Sequence, residues 1–331
     1  MSVARALERL RTIHRRMRDH LVCSMASAGE GSLSRIDHEG LDDTIYAIDI
    51  AAESVLLPEL EAWSKEEPLR VVGEGLGDGG ELHLPHGCSP EWHLLIDPID
   101  GTRGLMFGKR SAWILTGIAP GDVERPRLRD IVCAVQTEVP IPKQTQADQH
   151  WAIRGHGASA CRDDLARGES QPLPLRASRA EGLQDGFASL SKFFPEAKAE
   201  LAAIESEVLS ELQRRHGERG LIFDDQYIST GGQIVELIVG HDRFNGDLRA
   251  VLKESASLEV PPRTGVHPYD LAASLIAEEA GVILTNGRGG ILDAPFDVTS
   301  DVSWLGYANG TLRAKLEPIV LEALERRGWL G

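Results

Sequence analysis

The chain has 331 residues, of which 42% are hydrophobic and 26% charged, the make-up of an ordinary globular protein with enough core for one large or two ordinary domains. A formal net charge of −16 argues against a nucleic-acid or anionic-membrane partner reached through bulk electrostatics, but not against an anionic small molecule met through a bound cation. Four widely spaced cysteines (Cys23, Cys88, Cys133, Cys161) without a C-x-x-C pair fit a reduced, cytoplasmic protein, and no apolar run reaches transmembrane length.

Val3, Leu7, Leu10, Ile13, Met17 and Leu21 recur at helical spacing and predict an amphipathic first helix with a solvated Arg face; a transit peptide is the other reading of that face. Ala26 to Ser34 reads as a loop. A second helix is expected over Asp43 to Trp63, with Asp49 inside it between Ile48 and Ile50. Leu69 to Val72 is a short strand stopped by Gly73-Glu74-Gly75, and Gly77 to Ser89 reads as a surface loop. Trp92 to Ile96 is an apolar run of buried-strand type. Arg103 to Arg110 reads as a basic turn, Ser111 to Ile118 and Ile131 to Glu138 as strands, Pro140 to Gln149 as a polar connection, and Trp151 to Arg154 as a strand before the turn Gly155-His156-Gly157-Ala158. The Pro- and Ser-containing stretch from Gln171 to Arg179 marks a domain boundary, giving domains 1–178 and 179–331. Beyond it the expected elements are a strand at Gly186 to Leu190, helices over Pro195 to Arg215, Gly231 to Val239 and Tyr269 to Ala280, a strand at Val282 to Thr285 with a return at Ile291-Leu292, and a last helix from Leu312 to Arg327.

The chemistry concentrates where the run Trp92 to Ile96 stops, at Asp97-Pro98-Ile99-Asp100-Gly101-Thr102. Two carboxylates with two residues between them, on a turn stiffened by Pro98, repel each other unless a cation lies between them. Gly101 allows close backbone approach, and Thr102 brings a hydroxyl and an N–H; if a helix starts there, its N–H groups make an anion site beside the cation site. An ordinary Asp-rich turn is the competing reading of the hexapeptide taken alone.

That hexapeptide resembles the D-P-[IL]-D-G-[ST] motif of the inositol monophosphatase superfamily of metal-dependent phosphatases. Gly73-Glu74, Gly155-His156-Gly157-Ala158 and Asp270-Leu271-Ala272-Ala273 followed by Glu278-Glu279-Ala280-Gly281 are similar to three further motifs of that superfamily, in its order. The resemblance runs from about Thr44 to Asn309. It implies a layered αβαβα fold: an N-terminal, mostly antiparallel sheet with paired helices and a smaller C-terminal mixed sheet between helices. It implies two or three Mg²⁺ ions held by Glu74, Asp97, Asp100, Asp270 and the Ile99 carbonyl, a water oriented and deprotonated by Thr102 and Asp49, phosphate held by the N–H groups of Gly101 and Thr102, and sensitivity to lithium. Substrate contacts are carried over to Arg103, Gly232, Gln233 and Arg263.

The departures bear on the substrate. Gly75 stands where many members have a second acid, which leaves a third metal in doubt. Tyr269 replaces a Trp before Asp270. The segment Leu248 to Val266 is longer than in the simplest members, and Arg263 takes the place of a substrate-reading acid, suiting a carboxylate or second phosphate. Arg103-Gly104-Leu105 with Lys109-Arg110 is closer to the nucleotide-phosphate branch than to inositol phosphatases. The reading is therefore a Mg²⁺-dependent phosphomonoesterase for a small phosphorylated metabolite, an inositol monophosphate or related sugar phosphate. The alternatives are 3′-phosphoadenosine 5′-phosphate or fructose 1,6-bisphosphate as substrate and, from another class, a non-catalytic metal-binding relative. No nucleic acid polymer or membrane partner is expected; a homodimer is the assembly the resemblance allows.

Overall fold

The computed structural model describes residues 2–27, 36–39, 44–77, 79–255 and 261–330. Its helices are α1 (Val3–Ser27), α2 (Ala47–Ser64), α3 (Thr102–Met106), α4 (Lys198–His216), α5 (Thr230–Ile238), α6 (Arg249–Lys253), α7 (Ser274–Glu279) and α8 (Gly310–Arg326). The strands up to the middle of the chain are β1 (Ile36–Glu39), β2 (Thr44–Tyr46), β3 (Leu69–Gly73), β4 (Glu81–Leu84), β5 (Trp92–Asp100), β6 (Ala112–Pro120), β7 (Cys133–Val139), β8 (Gln146–Ile153), β9 (Ala158–Asp164) and β10 (Glu169–Pro172). Those that follow are β11 (Gly186–Leu190), β12 (Ile222–Phe223), β13 (Asp242–Asp247), β14 (Ile283–Thr285) and β15 (Trp304–Tyr307).

Strands β3 to β10 form an eight-stranded sheet in the order β10-β9-β8-β7-β6-β5-β3-β4, in which only β3 and β5 run parallel. Strands β11 to β15 form a five-stranded mixed sheet in the order β12-β11-β13-β15-β14. Side-chain alternation explains the layers. On β5, Leu94 and Ile96 join α1 and α2 in one core, while Leu95 on the other face joins the second sheet and its helices. Both faces of β5 are covered, which is why it is buried along its whole length and why Leu94, Leu95 and Ile96 run apolar without alternation. Helices α5 and α7 lie between the sheets, and α4 and α8 pack on each other over the far face of the small sheet. The expected αβαβα layering is the one observed.

Several elements differ from expectation. The stretch Gly77 to Ser89 holds an edge strand, β4, too short and polar to show periodicity. The polar connection from Pro140 ends at Gln146, because β8 buries Asp148, Gln149 and His150 inside the sheet. Strands β9, β10, β13 and β15 were not signalled: β13 reads Asp-Arg-Phe-Asn-Gly-Asp, and its polar residues are buried by pairing and ion contacts rather than by apolar burial. The expected helix from Tyr269 to Ala280 is broken into a 3-10 turn, Pro268–Leu271, and α7. The expected loop at Ala26 to Ser34 falls largely outside the described residues.

The α1 layer makes stability pH-dependent. His14 is fully buried between Thr116 Oγ1 at 2.9 Å and Thr137 Oγ1 at 3.2 Å, and burial pushes its pKa down to about 3. Above about pH 6.5 the ring is neutral folded or unfolded. As pH falls below that, only the unfolded chain takes the proton, so stability drops until the folded ring titrates near 3. His14→Gln is expected to flatten the fall in unfolding free energy between pH 6.5 and 4.5 by about one proton's worth. Denaturant titrations at several pH values check this; an unchanged slope would remove His14 from the account.

Candidate metal-dependent active site

The site is assembled at one end of two parallel strands. Gly73 pairs with Ile96, so Glu74, the first residue past the end of β3, comes beside Asp97, where the parallel pairing stops while β5 runs on against β6 to Asp100. The ladder between β5 and β6 slips between Asp97 and Asp100, where Pro98 has no N–H to donate, and Ile99 N–H turns back onto Asp97 Oδ1 at 3.0 Å. That bulge brings both carboxylates to the same end of the sheet. Asp270 arrives from the other side on the 3-10 turn, which packs against β5 and β6; its Oδ2 accepts the His267 N–H at 2.6 Å and so closes the turn. Gly117 on β6 permits this approach, since a Cβ there would stand 2.3 Å from the Ala272 carbonyl oxygen.

Asp97, Asp100 and Asp270 each place a carboxylate oxygen within 4.8 Å of the others. Burial, then the charges of Asp100, Glu74 and Asp270, hold the Asp97 carboxyl well above the usual carboxylate range. Burial lifts Asp100 to about 6, against hydrogen bonds from Ser229 Oγ (2.8 Å) and the Gly231 N–H (2.6 Å). Burial and the Asp100 charge lift Asp270 to about 8, with Arg249 opposing. Three carboxylates this close and this poorly solvated fit a hard divalent cation with oxygen ligands.

Beside them, α3 begins at Thr102. Gly101 has φ +92°, and a Cβ there would meet Ser229 Cβ at 3.0 Å, so glycine is needed on both counts. Thr102 Oγ1 donates to the Ile99 carbonyl at 2.8 Å and lies 3.4 Å from Asp49 Oδ1, which α2 presents from its first turn. Glu74, Asp97, Asp100, Asp270, Thr102 and Asp49 are thus in one place. The space a side chain at position 75 would take holds Glu53 Oε1, 3.0 Å from the ideal Cβ.

Other predicted residues lie differently. Arg103 is exposed on α3. Gly232 donates its N–H to Ser229 Oγ at 2.8 Å, and a Cβ on it would run into the Tyr227 ring at 2.5 Å. Gln233 is buried with its amide on Ser191, in the β11–β13 layer. The Arg263 side chain is 84% exposed, with Glu196 4.0 Å away. Arg263→Ala is therefore expected to leave KM for any phosphorylated substrate within about twofold, as for other exposed ion pairs; steady-state kinetics on a mono- and a bisphosphate check it. The buried cation of this region is Arg249, whose guanidinium grips Asp247 at 2.7–3.0 Å, donates to Thr264 Oγ1 at 3.1 Å and packs over Phe193 and Phe194. Sequence reasoning did not find it, nor Ser229. Ser229 had a readable signal, a Ser just before a helix start, and it is the N-cap of α5. The Gly155-His156-Gly157-Ala158 turn is a clamp: the N–H groups of Gly155 and Gly157 both bond Glu279 at 2.7 Å, tying β8 to the end of α7.

No protein-family model matches the chain. A curated relative, the fructose-1,6-bisphosphatase/inositol-1-monophosphatase of Methanothermobacter thermautotrophicus, is 24% identical over 273 residues, 81% of this chain and 80% of that protein. Among solved structures, a Pyrococcus horikoshii protein with similarities to inositol-1 monophosphatase superposes with a TM-score of 0.63 at 17% identity, covering 97% of this chain and 99% of that one. The chain has the fold of the inositol monophosphatase superfamily. The superposition extends to a Leishmania major fructose-1,6-bisphosphatase, with a TM-score of 0.69 at 13% identity over 97% of this chain and 93% of that one. Among the described residues, no helix is long and apolar enough to cross a membrane.

Proposed function

We propose that the chain is a Mg²⁺-dependent phosphomonoesterase that releases phosphate from a small phosphorylated metabolite, an inositol monophosphate or related sugar phosphate. The observation that carries this is the meeting of the Asp97–Asp100–Asp270 oxygens, within 4.8 Å, with the Thr102–Asp49 pair at 3.4 Å. In this reading Glu74, Asp97, Asp100, Asp270 and the Ile99 carbonyl hold the cations. When bound, Mg²⁺ supplies positive charge that polarises the phosphoryl oxygens and makes water more acidic.

The chain's own groups do the rest. The N–H groups of Gly101 and Thr102, at the start of α3, fix the phosphate. Thr102 Oγ1 accepts a proton from the attacking water and passes its own to Asp49, which α2 holds in reach. Ser229 Oγ and the Gly231 N–H fix the rotamer of Asp100. No side-chain nucleophile is required. Residues 1–178 carry all of these groups except Asp270, Ser229 and Gly231, and the reaction takes place where 179–331 meets them. The sugar-phosphate reading stands ahead of a bisphosphate or nucleotide because two of the cations that favoured the latter are engaged or turned outward: Arg110 is bound to Asp225 and lies 3.9 Å from Glu236, and Arg263 faces solvent.

A phosphate-release screen over inositol phosphates, sugar bisphosphates and nucleotide phosphates, with Mg²⁺ and with chelator, tests the proposal. Mg²⁺-dependent release from a sugar monophosphate is expected. Metal binding without turnover of any of them would return the chain to the non-catalytic class. Li⁺ is expected to inhibit in the millimolar range by competing at the Asp97, Asp100 and Asp270 oxygens; activity indifferent to Li⁺ at limiting Mg²⁺ would count against that placement.

A further inference from the structure

A second cleft, of about 590 Å³, carries none of the residues described above as the site. It lies along the later part of α5, where Val235, Glu236 and Val239 face Trp113 on β6, Glu138 on β7 and the Asp148–Arg162 pair of β8 and β9. The size is that of a small-molecule site, and its walls mix apolar surface with a few polar groups, as such sites do.

Its charges do not balance. Asp148 is matched by Arg162, bidentate at 2.7 Å for both bonds. Glu236 has His241 Nδ1 at 2.5 Å and Arg110 at 3.9 Å. Glu138 takes its hydrogen bonds from neutral donors, Ser111 Oγ at 2.6 Å, Gln144 Nε2 at 3.0 Å and the Asp148 N–H at 3.0 Å; Arg162, already bidentate on Asp148, acts on it only through longer-range charge, and it is in no salt bridge with a described residue. Burial, helped by the neighbouring Asp148 charge, pushes its carboxyl up. A partly buried carboxylate with no cation in direct contact is costly, and a cationic ligand relieves that cost.

The residues beneath the cleft floor are polar as well. His150 lies one row deeper on the face of β8 that presents Gln146 and Asp148 to the cleft. It packs against Trp113 with ring centroids 5.7 Å apart, and neither of its buried nitrogens has a partner in the protein. Gln136 Oε1, on the facing residue of β7, is also unpartnered. The layer beneath the cleft is therefore polar, not a sealed apolar core.

We propose that this cleft binds a small metabolite through a primary ammonium group set against Glu138, with its aliphatic body along Val235, Val239 and Leu173. The ammonium donates to the Glu138 carboxylate as a charge-assisted bond. Lys143, at the rim and in no salt bridge with a described residue, decides whether a carboxylate accompanies the ammonium: a simple amine leaves it in solvent, and an amino acid pairs with it.

The test is calorimetric titration of the full chain at 0.15 M salt, which screens the general attraction of a −16 protein for cations. The probes are n-butylammonium against n-butanol, and 6-aminohexanoate against hexanoate. Both ammonium compounds are expected to bind at least ~10-fold more tightly than their partners, by the strength of a buried charged bond. Glu138→Gln, shown folded by its melting curve, should erase that preference, and Val239→Trp should block binding by filling the cleft. Tighter binding of 6-aminohexanoate that Lys143→Ala removes identifies the amino-acid class; equal binding identifies a simple amine. No ammonium preference in the wild type, or a preference that survives both Glu138→Gln and Val239→Trp, overturns the proposal. Turnover is not read at any point, so the outcome is independent of the phosphatase reading.

Discussion

Asp97→Asn is expected to lower the rate of phosphate release by at least ~10²-fold while leaving the chain folded, the cost of removing one preorganised electrostatic stabiliser. The amide keeps the shape of the carboxylate and can still accept the Ile99 N–H at 3.0 Å. What it loses is the charge that Asp100, Glu74 and Asp270 oppose in the metal-free protein. The same crowding sets a pH dependence. With Asp100 at about 6 and Asp270 at about 8, both above their unfolded value near 4, the contribution of these two carboxyls to metal-free stability is fullest below about pH 4 and is lost as pH rises through 6 and then 8. Asp97→Asn should therefore melt higher than wild type at pH 8.5 in chelator and show little difference at pH 4. Mg²⁺ should raise the wild-type melting temperature more at pH 8.5 than at pH 5.5, and raise that of Asp97→Asn less. Near-normal turnover of Asp97→Asn at saturating Mg²⁺ would remove Asp97 from the cation site. A wild type that gains nothing from Mg²⁺ at pH 8.5 would remove the site itself.

How much of this was legible depended on the kind of force involved. The strand run Trp92 to Ile96 and the helices at both ends were readable because apolar burial writes a period into the sequence. The core faces of α1 fell on the expected residues, Leu7, Leu10, Ile13, Met17 and Leu21. Strands β9 and β13 and the first half of β8 were not readable, because His150, Gln149, Asp163 and Asn245 are buried polar residues, and Gln149, Asp163 and Asn245 find partners in distant parts of the chain. Gln149 answers to Thr137 and Arg11, and Asp163 to Arg15 and Arg18; neither pairing leaves a local pattern. The acids of the site were legible because they sit at element ends beside Gly and Pro. The groups that orient them, Ser229 and the Gly231 N–H, come from α5 and were visible only as a cap signal. Arg263 was the instructive miss. Counting back from Asp270 placed a cation at the cleft, but the buried cation is Arg249, whereas the Arg263 side chain is exposed.

The second large effect belongs to the hydroxyl of Thr102. Its Oγ1 stands between the Ile99 carbonyl at 2.8 Å and Asp49 Oδ1 at 3.4 Å, so it has one proton to give and two acceptors. A cation held by the Ile99 carbonyl would leave Asp49 as the acceptor of that proton and would free the Thr102 oxygen lone pairs for a water. Thr102→Val keeps volume and β-branching but removes the relay. General-base transfer of this kind contributes ~10²–10⁴-fold. We expect kcat to fall by ~10²–10³ with KM within a few-fold, because the N–H groups at the start of α3 still hold the phosphate. Thr102→Ser restores the hydroxyl and should recover activity to within about tenfold. Asp49→Asn should cost a similar factor, and the double variant Asp49→Asn with Thr102→Val should lose little more than either alone, since both cut the same chain. Two readouts separate this from simple loss of structure: the Ser rescue, and a pH–rate profile in which the acid limb of wild type flattens in Thr102→Val. If the Val variant turns over normally, or if the two losses multiply in the double variant, Thr102 and Asp49 do not share a proton path and the water must be activated without them.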